Sequence, residues 1–166
     1  HQADLSGSAH TPVLTISLPR VRDILAATGA DPTYLTLEIT ESLLVEHASE
    51  AVARMTELAA LGLRFAIDDF GTGYSSLAYL KRLPVSELKI DKSFVQDIPH
   101  DPNDVALVET ILSMARHLHF EVVAEGVENA AQFDFLRRQG CERFQGYHFH
   151  RPQAMQAWID QLPATG

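Results

Sequence analysis

Leu63–Phe94 reads LRFAIDDFGTGYSSLAYLKRLPVSELKIDKSF. An apolar run ends in two adjacent aspartates, Asp68 and Asp69, a Gly-x-Gly follows, and Lys89 arrives on a second β-rich run. In ELKID, residues Glu87, Lys89 and Asp91 share one face of an extended segment, while Leu88 and Ile90 share the other. In LTLEIT, Thr36, Glu38 and Thr40 likewise oppose Leu35, Leu37 and Ile39. An open doubly wound sheet buries both faces and favours continuous Val/Ile/Leu runs. Strands with one polar face and one apolar face instead suit a barrel, with helices on the apolar side.

Working outward, β-rich runs fall near Leu35–Thr40, Arg64–Asp68, Glu87–Asp91, Glu121–Glu125 and Arg143–Gln145. Helical patterns occupy Arg20–Thr28, Ala48–Ala60, Ser75–Arg82, Asp104–Leu118, Ala130–Arg138 and Gln153–Gln161. Gly29, Gly62 and Gly140 stand just past the ends of three of them, where helices stop. Repeated strand-helix units predict an α/β fold with parallel strands, a TIM-like (β/α) barrel. Such barrels take about 250 residues, so a chain of 166 is expected to lack N-terminal units. The reading is one domain over 1–166, with a ragged start over 1–17 and successive strand-helix units over 18–166. A barrel lacking its first units leaves open strand edges, which predicts a homodimer.

Composition narrows the function. The net charge of −9 argues against a basic patch for a nucleic-acid polymer or an anionic membrane surface. One cysteine, Cys141, excludes an internal disulfide framework and a cysteine-based zinc site. With no apolar run of about 18 residues, the expected location is cytoplasmic, whatever anchor the parent protein carries. His148 and His150 read as exposed or packing residues, because no third nitrogen ligand is spaced near them. Ala48, Ala51, Val52, Met55, Leu58 and Ala59 form a core stripe at helical spacing.

The strand ends carry Glu38, Asp68 with Asp69, Lys89 with Asp91, Glu125 and Gln145. The carboxyl ends of barrel strands are where TIM-barrel enzymes place catalytic groups. A single acidic residue there is usually a cap or a solvated loop residue. Several converging carboxylates repel one another unless a cation sits among them, so hard divalent ions, Mg²⁺ or Mn²⁺, are expected. A strand-to-loop transition would let both aspartates turn inward and serve two neighbouring ions. A two-metal site suits attack of water on a phosphodiester, with Lys89 adding fixed positive charge.

The blocks LTLEITES, FAIDDFGTGYSSLAYLKRLPVSELKIDKSFV, VVAEGVEN and CERFQGYHFHRP, in this order, resemble the signatures of EAL-domain cyclic di-GMP phosphodiesterases. The resemblance runs from about Leu35 to Pro152. It implies a TIM-like barrel and Mg²⁺- or Mn²⁺-dependent hydrolysis of cyclic di-GMP to linear pGpG. Glu38 and Asp68 would then be metal ligands, with Asp69 serving a second metal. Lys89 would position or activate water, and Glu125 would organise metal or water. Gln145 would complete the substrate site, and Glu41 would anchor the loop after the double aspartate. It also implies a GGDEF or sensory domain elsewhere in the parent protein. Two departures stand out. No Glu-Ala-Leu block precedes Leu35, and Asp4 of ADLS stands where the family has a metal-binding asparagine. Loss of such ligands would leave a catalytically inactive module that binds cyclic di-GMP or a protein. Another metal-dependent barrel enzyme, acting on phosphorylated sugars, is a third reading, disfavoured by the lack of a Gly-rich phosphate cup late in the chain.

Overall fold

A computed structural model describes residues 18–41, 48–73 and 77–154. Asp4 and the helix expected over Gln153–Gln161, beyond its first residues, lie outside them. Packing divides the chain into two units, one drawn from residues 1–68 and 72–86, the other from 69–71 and 87–166.

The first unit contains α1 (Leu18–Thr28), a 3₁₀ turn at Pro32–Tyr34, β1 (Thr36–Thr40), α2 (Ala48–Ala59), most of β2 (Arg64–Phe70) and α3 (Leu77–Leu80). Asp31 caps the 3₁₀ turn by accepting from the Thr33 amide, and Pro32 occupies its first turn. β1 and β2 run parallel, with Glu38 opposite Ala66 and Thr40 opposite Asp68. Ala51, Met55 and Leu58 are buried at helical spacing on α2, the stripe expected from the sequence. Phe65, Ala66 and Ile67 are buried at consecutive positions, so β2 is covered on both faces rather than alternating.

The second unit contains β3 (Glu87–Ile90), α4 (Lys92–Gln96), α5 (Pro102–Leu118), β4 (Glu121–Ala124), α6 (Ala130–Arg138) and β5 (Arg143–Phe144). Its three strands are parallel in the order β3-β4-β5. Glu87 and Glu121 begin β3 and β4 directly opposite each other. Arg143 at the start of β5 bridges them, 2.9 Å to Glu87 and 2.9 Å to Glu121, turning a like-charge pair into a three-strand clamp.

Several boundaries differ from expectation for local reasons. α5 starts at Pro102, not Asp104, because Asp101 caps it and proline at the first helical position has no amide to satisfy. β3 stops at Ile90, because Asp91 is the N-cap of the unexpected helix α4 and accepts from the Ser93 amide. Glu125 and Gln145 stand one residue beyond β4 and β5 rather than inside them. α2 ends at Ala59, and the described helix within Ser75–Arg82 is Leu77–Leu80. Gly29, Gly62 and Gly140 do stand past their helices with positive φ.

Candidate active site

The carboxyl ends of β3, β4 and β5 continue as a backbone ladder after the strands stop. The Glu125 amide donates to Ile90 O at 3.2 Å, the Gln145 amide to Ala124 O at 2.9 Å, and the Val127 amide to Gln145 O at 3.0 Å. These bonds set Glu125 beside the end of β3 and Gln145 beside the end of β4.

Within that frame Lys89 is 5% exposed, and its Nζ lies 2.8 Å from Glu125 Oε1. Strand alternation gave Lys89 the polar face; the structure adds that this face is dry. A buried ammonium needs a paired anion, and Glu125 provides it. Asp69 and Glu125 each present a carboxylate oxygen within 4.8 Å of the other.

Asp69 has φ of +52°, a left-handed conformation that non-glycine residues seldom adopt, although aspartate and asparagine enter it more readily than most. Such strain collects at functional sites.

Asp91 belongs to the same group, although the sequence reading gave it no role. Its carboxylate feels burial most strongly, which favours the neutral form. Hydrogen bonds from the Ser93 hydroxyl and amide, contact with Asp69 and the charge of Lys92 outweigh that and hold it below the usual aspartate range. The readable signal was Asp-x-Ser, a capping pattern that also stands two residues after Lys89.

A cleft of about 610 Å³ opens beside this group, lined by Lys92, Glu125, Glu128, Gln145, Tyr147 and Arg151 among others. Gln132, 3% exposed, holds one wall. Its Oε1 accepts from the Glu128 and Asn129 amides at 2.7 and 3.2 Å, and its Nε2 donates to Gln96 O at 3.0 Å. The pattern Asn129-x-x-Gln132 is a capping box legible in the sequence and overlooked there. Phe133 stacks against His148 at 5.8 Å and meets Phe149 edge-on at 5.6 Å, which makes His148 a packing residue. Cys141 is buried, donates to Val122 O and Arg143 O, and has its thiol pushed up by burial, so it is unreactive.

In the first unit, Glu38 is exposed on β1 and Asp68 is half-buried on β2. Glu41 is 2% exposed and accepts from the Gly73 amide at 3.1 Å, tying the Gly-x-Gly loop to the end of β1.

Residues 8–152 match the family model for the EAL domain. The chain belongs to the EAL domain family. This EAL domain is 48% identical over 132 residues to the bifunctional diguanylate cyclase/cyclic di-GMP phosphodiesterase MucR of Pseudomonas aeruginosa, covering 80% of this chain and 19% of that protein. It is 47% identical over 144 residues to the cyclic di-GMP phosphodiesterase NbdA of the same organism, covering 87% of this chain and 18% of that protein. The chain thus spans about a fifth of the length of these relatives. The solved cyclic di-GMP complex of the MucR phosphodiesterase superposes with a TM-score of 0.82 at 45% identity, covering 84% of this chain and 57% of that one. A manganese and cyclic di-GMP complex of Klebsiella pneumoniae BlrP1 gives 0.75 at 34% identity, covering 81% and 34%. The EAL fold is α/β and TIM-barrel-like, the class expected from the strand faces. Among the described residues, no helix is long and apolar enough to cross a membrane.

Proposed function

We propose that this EAL domain hydrolyses cyclic di-GMP to linear pGpG in a cytoplasmic, bacterial signalling protein with further domains, using Mg²⁺ or Mn²⁺. The observation that carries the reading is the buried 2.8 Å ion pair between Lys89 and Glu125, with Asp69 within ligand-sharing distance of Glu125. An all-oxygen set of carboxylates suits a hard divalent cation, so the residues fit the metal that the family uses. Asp69 and Glu125 would hold it, and the family resemblance gives ligand roles to Asp68 and Glu38 as well. When bound, two such ions would lower the pKa of a water molecule and neutralise charge on the attacked phosphate.

The chain's own groups supply the rest. Lys89, fixed by Glu125 in a dry setting, presents an ammonium that can donate a hydrogen bond to the water or to a phosphate oxygen, where low dielectric strengthens the contact. Phe144, Tyr147 and Phe149 give the cleft aromatic surface on which purine bases can stack, and the Gln145 amide offers both donor and acceptor. In the reaction, water oxygen bonds to phosphorus and the P–O3′ ester bond breaks. The product keeps a 5′-phosphate and gains a free 3′-hydroxyl.

Calorimetric titration of Mn²⁺ into wild type and Asp69→Asn tests the metal assignment. Removing one charged ligand is expected to weaken binding at least tenfold, by analogy with the loss of supporting metal contacts. Equal affinities would remove Asp69 from the site.

A further inference from the structure

Lys92 has no role in the reading above, yet it lines the same cleft as Glu125 and Glu128. The start of its side chain packs against the turn after Glu125. A Cβ on Gly126, whose φ is +69°, would lie 2.6 Å from Lys92 Cβ and 3.3 Å from its Cα. Glycine after Glu125 therefore lets the Lys92 backbone and stem pack against the turn that carries that glutamate.

Lys92 is exposed and forms no ion pair among the described residues. Asp91, its chain neighbour, is engaged by the Ser93 hydroxyl and amide. The other cationic groups nearby are committed differently: Lys89 is paired with Glu125, and Arg151 lies over the Tyr147 ring at 5.3 Å. A ligand with two phosphodiester charges entering beside Glu128 meets repulsion from that wall, since the charge of Glu125 is already met by Lys89. Lys92, on the lining of the same cleft, is a cation placed to offset it.

We propose that Lys92 contacts a phosphate of the bound dinucleotide and sets substrate affinity without taking part in bond cleavage, an inference that rests on the cyclic di-GMP reading. An ammonium with a flexible end binds phosphate as a point charge, so arginine should substitute for it and alanine should not.

Steady-state kinetics and calorimetry with cyclic di-GMP and Mn²⁺ on the full-length protein test this. Lys92→Ala is expected to raise KM and Kd about tenfold with kcat within about twofold, while Lys92→Arg stays within about threefold of wild type on all three. The wild-type KM should also rise more steeply with salt than that of Lys92→Ala, since a screened charge contact is lost in the variant. Unchanged KM and Kd in Lys92→Ala would overturn the proposal and leave the phosphodiesterase reading intact, and a fall confined to kcat would contradict the binding role. A wild-type protein that neither binds nor cleaves cyclic di-GMP would overturn both.

Discussion

Replacing Lys89 by methionine should reduce kcat for cyclic di-GMP about a thousandfold while leaving Kd within a few-fold. Lys89 sits 5% exposed with its ammonium 2.8 Å from Glu125, and it is not among the residues that line the cleft. Its charge therefore acts mainly where charge develops during attack, and removing one such preorganised donor typically costs about 10²–10³ in turnover. Methionine keeps much of the volume of the stem, so the space that Lys89 fills on its own face of β3 stays occupied. The substitution strips Glu125 of its partner, and a stability measurement belongs beside the kinetics. A folded Lys89→Met protein with normal kcat and raised KM would reduce Lys89 to a binding residue.

Gly146→Ala should lower stability by about 2–3 kcal/mol, the upper range for forcing atoms into a packed site. A Cβ there would fall 2.2 Å from Val127 O, 2.4 Å from Val127 N and 2.7 Å from Val127 C. These are backbone atoms, and Val127 is itself fixed, its amide donating to Gln145 O and its carbonyl accepting from the His148 amide. Nothing flexible can yield, so the two chain segments must separate. Gln145 and Tyr147 flank the substituted position, and the cleft wall should move with them. Thermal unfolding followed by circular dichroism reads the stability, and activity should fall in parallel. An unaltered midpoint would mean that this approach of backbones is looser than the structure has it.

The parts of the fold that were legible are those where periodicity and chemistry agree. The alternation in ELKID put Lys89 and Asp91 opposite Leu88 and Ile90, and both apolar residues are fully buried. The Ala51, Met55 and Leu58 stripe was equally plain. Alternation could not reveal that Lys89's own face is buried too, because that depends on Glu125, 36 residues onward, arriving beside it through a parallel ladder. Asp91 was read as a strand residue because its face matched Lys89; its capping of α4 depended on Ser93, a local hydrogen bond that overrides strand pattern. Asp69's left-handed backbone leaves no trace in composition, although two adjacent aspartates before Gly71 hinted at a turn. The Gln132 bridge to Gln96 was hidden because a polar residue on a helix face normally reads as solvated. The family blocks named Lys89, Glu125 and Asp69, while the pairwise geometry among them came only with the fold.

These carboxylates and Lys89 are expected to serve phosphodiester hydrolysis. Incubating the full-length protein with cyclic di-GMP and Mn²⁺, and following nucleotides by chromatography, tests it most directly. The expected result is metal-dependent loss of cyclic di-GMP with stoichiometric appearance of linear pGpG, abolished by a chelator. Cyclic di-GMP recovered intact with either Mn²⁺ or Mg²⁺ present, whether bound to the protein or not, would contradict the account.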